Sequence, residues 1–147
     1  MGLSRTTPVR VERTLPFGPE SLRAICAPPS MPLEDCPTCR AIASPVSRFE
    51  KGGGVESDDI PAAVGALRPW LCLGEQIRTL WIDRCPTCLR IYLEEESYEF
   101  LVGGSEDSHS YARIDVEAVL GLPELTWTKP PAELQFDGEC WYVVEVR

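Results

Sequence analysis

The sequence predicts an α+β fold: a small antiparallel sheet with β-hairpins, few short helices, and an irregular Pro-rich N-terminal segment tied down by a four-Cys metal site. Three observations carry this expectation. β-forming and alternating stretches fill the second half, helical periodicity is confined to short runs, and prolines crowd the beginning. The expected division is residues 1–35 as a Pro-rich irregular extension and residues 36–147 as a single metal-stabilised domain, the size usual for one domain.

In the first segment Pro8, Pro16, Pro19, Pro28, Pro29 and Pro32 remove backbone donors and fix φ, which works against long regular elements. The best helical stretch there runs from Pro19 to Cys26, with Leu22, Ile25 and Cys26 on one face. After Cys39 a short helical run meets Pro45. Lys51-Gly-Gly-Gly54 and the polar residues following it read as a flexible loop. Pro61 to Leu67 reads as a short helix capped by Asp58 or Asp59.

Ile77 to Asp83 reads as a strand. Leu89–Leu93 and Tyr98–Val102 read as a hairpin, with Glu94-Glu95-Glu96-Ser97 as its solvated turn. Asp115 is placed to cap a helix through Val116, Val119 and Leu120 that Gly121 and Pro123 end. Asp137-Gly138, between Glu133–Phe136 and Glu139–Val146, carries the Asp-Gly signal of a two-residue hairpin turn.

Charge narrows the partners. The chain sums to −9, and residues 91–147 carry three Lys/Arg against thirteen Asp/Glu. Nucleic-acid affinity comes largely from counterion release at Lys/Arg contacts, so nucleic acid is not an expected ligand. The expected partner is a protein, with a basic one favoured by this balance. No apolar run approaches the ~20 residues that span a bilayer. The polar, Arg-containing start does not read as a signal peptide. No membrane partner and a cytoplasmic location are therefore expected.

The chemistry lies in Cys36-Pro37-Thr38-Cys39 and its repeat, Cys85-Pro86-Thr87-Cys88. Two cysteines three apart on a tight turn aim both thiolates at one point. Two such turns supply four sulfurs, the set a tetrahedral zinc ion takes at about 2.3 Å each. Thiolates select zinc or iron over calcium or magnesium, and the set alone does not separate zinc from iron. The 45 residues between Cys39 and Cys85 are a long insertion. Loop-closure cost grows only logarithmically with length, so such a gap is tolerated.

These paired Cys-Pro-x-Cys turns resemble the knuckles of zinc-ribbon and rubredoxin-like proteins, in which the second knuckle leads into a hairpin. The resemblance covers the two tetrapeptides and the Leu89–Val102 stretch. Such knuckles usually carry glycine directly after the second cysteine, where this chain has Arg40 and Leu89. What the resemblance implies is a structural metal at Cys36, Cys39, Cys85 and Cys88, and no particular activity.

Two other readings stand beside it: thiol–disulfide chemistry at the C-x-x-C pairs, and unpaired structural cysteines. Thioredoxin-type motifs sit singly at a strand-to-helix junction, whereas here the motif is duplicated. Cys26, Cys72 and Cys140 read as buried apolar residues. His109 is the only histidine. Its neighbours Asp107, Ser108 and Ser110 cannot easily face it as a triad, so it reads as part of a polar loop. Trp70, Trp81, Trp127 and Trp141 read mostly as core.

The expected function is a non-enzymatic zinc-binding protein-interaction domain, one structural Zn2+ holding the N-terminal segment to the sheet. The alternatives are an immunity or antitoxin-type protein that neutralises a basic toxin, and a thiol oxidoreductase using the Cys-Pro-Thr-Cys motifs.

Overall fold

A computed structural model describes residues 11–52, 54–75, 78–101, 104–123, 125 and 132–145. Among these residues there are nine strands, with short helical turns between some of them: β1 (Arg13–Pro16), β2 (Val46–Lys51), β3 (Gly54–Asp58), β4 (Arg68–Glu75), β5 (Arg78–Arg84), β6 (Ile91–Leu101), β7 (Gly104–Ile114), β8 (Ala132–Phe136) and β9 (Trp141–Glu145). They form one sheet in the order β1-β8-β9-β4-β5-β6-β7-β2-β3. Every neighbouring pair is antiparallel except β4 and β9, which run parallel through Leu71↔Trp141 and Cys72↔Tyr142. The helices are few and short, as expected. The sheet, however, is neither small nor purely antiparallel.

Two α-helices are described, α1 (Pro19–Ile25) and α2 (Val116–Leu120). Proline in the first turn, Glu20 at the start and Arg23 at the end suit α1, which buries Leu22 and Ile25. Asp115 caps α2 as expected, its carboxylate accepting from the Ala118 amide at 2.9 Å. Arg23 reaches across to Glu117 at 3.0 Å. The Trp70 indole donates to the Ile25 carbonyl at 2.7 Å, pinning the end of α1 to the sheet.

The two faces of the sheet carry different cores. On one face α1 and α2 cover Leu71, Ile82, Ile91, Leu134 and Trp141. On the other Ile42, Val46, Leu67 and Tyr92 pack around the four motif cysteines. Ile91 and Tyr92 are adjacent yet belong to different cores, because successive strand side chains point to opposite faces. Among the described residues no helix is long and apolar enough to cross a membrane.

Several local expectations are corrected. In the stretch expected to be irregular, β1 pairs with β8, from Arg13↔Phe136 to Pro16↔Glu133. Of the stretch expected to be a flexible loop, Gly53 lies outside the described residues, and Gly54–Asp58 is a strand, β3, forming a hairpin with β2, which also pairs with β7. That hairpin carried no signal because β3 is exposed along its whole length, leaving no apolar alternation to read.

Glu94–Ser97 is no turn. β6 runs straight through it, in register with β5 and β7, and the Ile77 at the start of the expected strand before it lies outside the described residues. The 61–67 helix is a 3-10 segment, Ala62–Ala66, entered from Pro61 without a side-chain cap. Asp58 accepts instead from the Ile60 amide at 3.3 Å. The last hairpin pairs Phe136 with Trp141, so its loop holds four residues rather than two. There the Asp137 carboxylate accepts from the Glu139 and Cys140 amides at 2.9 Å each, and Gly138 takes φ +101°. The positive φ needs glycine, but the aspartate side chain shapes the turn.

Candidate metal centre

The first knuckle is built from two 3-10 turns, Leu33–Asp35 and Cys39–Ala41. The Cys36 amide donates to the Leu33 carbonyl at 3.1 Å, and Arg40 donates back to the Cys36 carbonyl at 3.0 Å. This folding aims the Cys39 amide at the Cys36 sulfur, 3.5 Å away. Pro45, cis-linked to Ser44, follows the turn and leads into β2.

The second knuckle joins β5 to β6. The Cys85 amide donates to the Arg90 carbonyl, and the Leu89 amide to the Cys85 carbonyl, each at 2.9 Å. Leu89 takes φ +69°, the left-handed conformation that a knuckle usually gives to glycine. Arg40, at the matching position of the first turn, does not take a positive φ. The Ser30 amide donates to the Cys88 carbonyl at 2.7 Å, tying the N-terminal segment to this turn.

The four cysteines named from sequence converge. All are fully buried, and their sulfurs lie within 4.8 Å of one another. Cys36 and Cys85 are 3.7 Å apart, and Cys39 and Cys88 are 3.5 Å apart. Four sulfurs around a zinc at about 2.3 Å would be roughly 3.8 Å apart, the edge of that tetrahedron, whereas a disulfide needs about 2.05 Å. The spacing fits the shell of a metal ion, and this buried group could hold one.

The electrostatics point the same way. Burial resists ionisation of Cys36, but the Cys39 amide and the neighbouring thiols donate to its sulfur and bring its pKa to about 7. At Cys39 burial and the competing thiols push the pKa up. One thiol ionises easily and the next resists, which is the behaviour of crowded sulfurs that a cation would relieve.

Around them sit groups that favour negative sulfur. The Tyr92 hydroxyl lies beside the Cys39 sulfur, and burial together with that thiol raises its pKa, keeping it protonated. Burial opposes the Arg90 charge, but the attraction of the Cys88 and Cys39 sulfurs raises its pKa on balance. Arg113 donates to the Ile42 carbonyl at 2.5 Å and to the Cys39 carbonyl at 3.4 Å. No regular sequence signal marked Tyr92, Arg90 or Arg113; their roles depend on strand register.

The other cysteines and tryptophans divide. Cys26 and Cys140 are buried as expected, and Cys72 is half-buried. Trp141 is core, Trp70 and Trp81 are half-buried, and Trp127 lies outside the described residues.

His109 is not in a loop but on β7, opposite Glu96 and beside Glu94. Ser108 and Ser110 project to the opposite face, so no triad forms; Ser108 instead bonds Ser97 at 2.8 Å. A hydrogen bond donated to Glu94 raises the His109 pKa despite partial burial. Burial opposes the Glu94 charge, but bonds from His109 and Asp83 lower its pKa on balance. Asp83 is pushed up to about 9 by burial and by Glu94.

Comparison with protein-family models, with curated proteins and with solved structures returns no match.

Proposed function

We propose that this chain is a non-enzymatic interaction domain in which Cys36, Cys39, Cys85 and Cys88 hold one structural Zn2+. The observation that carries this reading is the closed shell of four fully buried sulfurs at tetrahedral spacing. Catalytic zinc keeps three protein ligands and an open position for water. Four sulfurs leave none. Zinc here supplies a cross-link, joining the 36–39 turn to the β5–β6 connection across 49 residues of chain.

A zinc tetrathiolate carries a net charge of −2. Arg90 and the Tyr92 hydroxyl are placed to stabilise that charge through Cys88 and Cys39. Burial weighs against a thiol–disulfide role, since an attacking thiolate must be reached by its substrate. The partner-binding role rests on the acidic surplus of residues 91–147. It fits a basic protein held by salt-sensitive contacts.

X-ray absorption on protein carrying one zinc per chain, with loosely held metal dialysed away, tests the metal assignment. The expected first shell is four sulfurs at about 2.3 Å. A shell containing nitrogen, oxygen or an open position would overturn it.

A further inference from the structure

The face of the sheet that holds the cysteines continues along β6 and β7 into a second group of ligand-type side chains. Tyr92, Glu94 and Glu96 alternate on β6, with Tyr111 and His109 opposite the two glutamates on β7. His109 Nε2 lies 2.7 Å from Glu94 Oε2 and 3.6 Å from Glu96 Oε1. One ligand atom from each of the three lies within 4.8 Å of the others. Asp83, on the same face of β5, is buried at 3% exposure, and its carboxyl lies beside that of Glu94, which helps hold it protonated. One of its oxygens, Oδ1, is buried and has no hydrogen-bond partner.

We propose that Glu94, Glu96 and His109 form a second, open site for a divalent first-row transition ion, separate from the four cysteines. Donors bound at about 2.1 Å to a tetrahedral or octahedral ion sit roughly 3.0–3.4 Å apart. The separations of 2.7 and 3.6 Å bracket that value, so a small rotation of Glu94 admits the ion.

The surroundings fit a metal better than a simple ion pair. Two carboxylates, Glu94 and Glu96, meet one imidazole while burial keeps Asp83 protonated, so protonating His109 still leaves one carboxylate without a matching positive charge. Arg48, which faces His109 from β2, is engaged by Glu50 at 3.0 Å. Outer contacts are already in place: Tyr111 donates to Glu94 Oε2 at 3.2 Å, and Asp83 supports the same carboxylate. Access is open, because the Glu96 side chain is 57% exposed. Two carboxylates and one imidazole leave coordination positions for water or an anionic ligand, unlike the four-sulfur shell.

Mn2+ is the probe, since thiolates do not favour it and the cysteine site stays loaded with zinc. The expected result is one Mn2+ bound per full-length chain by electron paramagnetic resonance. Affinity should fall by at least about tenfold in Glu94→Gln and in His109→Gln. Glu139→Gln, in the exposed β8–β9 loop, should bind as the wild type does. A second readout needs no variant: as the sole histidine, His109 should show ring-proton signals that broaden first as Mn2+ is added below stoichiometry. No uptake at millimolar Mn2+, equal binding in folded Glu94→Gln, or broadening that spares the His109 ring would each overturn the site. All these readouts are independent of the identity of the ion at the four cysteines.

Discussion

Replacing Cys85 with serine removes one of four sulfurs from a site whose members are all fully buried. Structural zinc contributes an apparent ~10–16 kcal/mol to folding, against a whole-domain stability of about 5–15 kcal/mol. A three-sulfur remnant with a buried hydroxyl forfeits most of that term. The loss should not spread evenly. Ile42, Val46, Leu67 and Tyr92 pack on the cysteine cluster, whereas Leu71, Ile82, Leu134 and Trp141 pack on the other face beneath α1 and α2. The expectation for Cys85→Ser is therefore rapid amide exchange across 31–45 and 60–67, with protection lost before that of β4 and β9. Hydrogen exchange read by mass spectrometry resolves the two layers. Cys140→Ser is the control, since Cys140 is also buried but lies outside the cluster. It should cost only the roughly 1–3 kcal/mol of a poorly paired buried polar group and leave 31–45 protected. Wild-type protection of 31–45 in Cys85→Ser would refute the reasoning.

Three further outcomes are expected. At Leu89, held at φ +69°, glycine should be more stable than alanine by about 1 kcal/mol, reversing the usual order; thermal melts of the two variants decide it, and the opposite ranking would remove the strain argument. Asp115→Ala should cost about 1 kcal/mol by leaving the Ala118 amide uncapped, measured by urea unfolding with an unchanged m-value. The His109 ring, followed by NMR without added divalent ion, should titrate above its ordinary 6.5 and return toward it in Glu94→Gln. A raised histidine pKa stabilises below 6.5 and loses that contribution as pH rises through the folded value. The lowered Glu94 pKa stabilises above 4.5 and loses its contribution as pH falls through the folded value. The pair therefore contributes most between pH 4.5 and 6.5. A stability profile that rises steadily above pH 6.5 through this pair would contradict the sign.

The legible parts were those whose signal is local. Two Cys-Pro-Thr-Cys turns name the sulfur cluster because the ligand chemistry is written in four residues each. Pro19 and Asp115 mark their helices because a first-turn proline and a capping carboxylate act within one turn. What escaped depends on distant pairing. The polar run Glu94–Ser97 reads as a turn by composition, yet β5 and β7 hold it extended from both sides. That error hid the Glu94–His109 contact, since a turn and a loop cannot be placed in register. The all-exposed β3 offers no apolar period, and the parallel β4–β9 pairing joins residues about seventy apart. Leu89 shows the converse: a position where glycine was expected keeps the backbone glycine would adopt, because the surrounding turn dictates it.

The central claim, one structural zinc at Cys36, Cys39, Cys85 and Cys88, meets its most direct test in metal content per chain measured together with reactive thiols. One zinc per chain, with four thiols becoming reactive only when that zinc is displaced, is the predicted result. Protein without bound metal, whose Cys36–Cys39 or Cys85–Cys88 pair cycles between dithiol and disulfide, would contradict it.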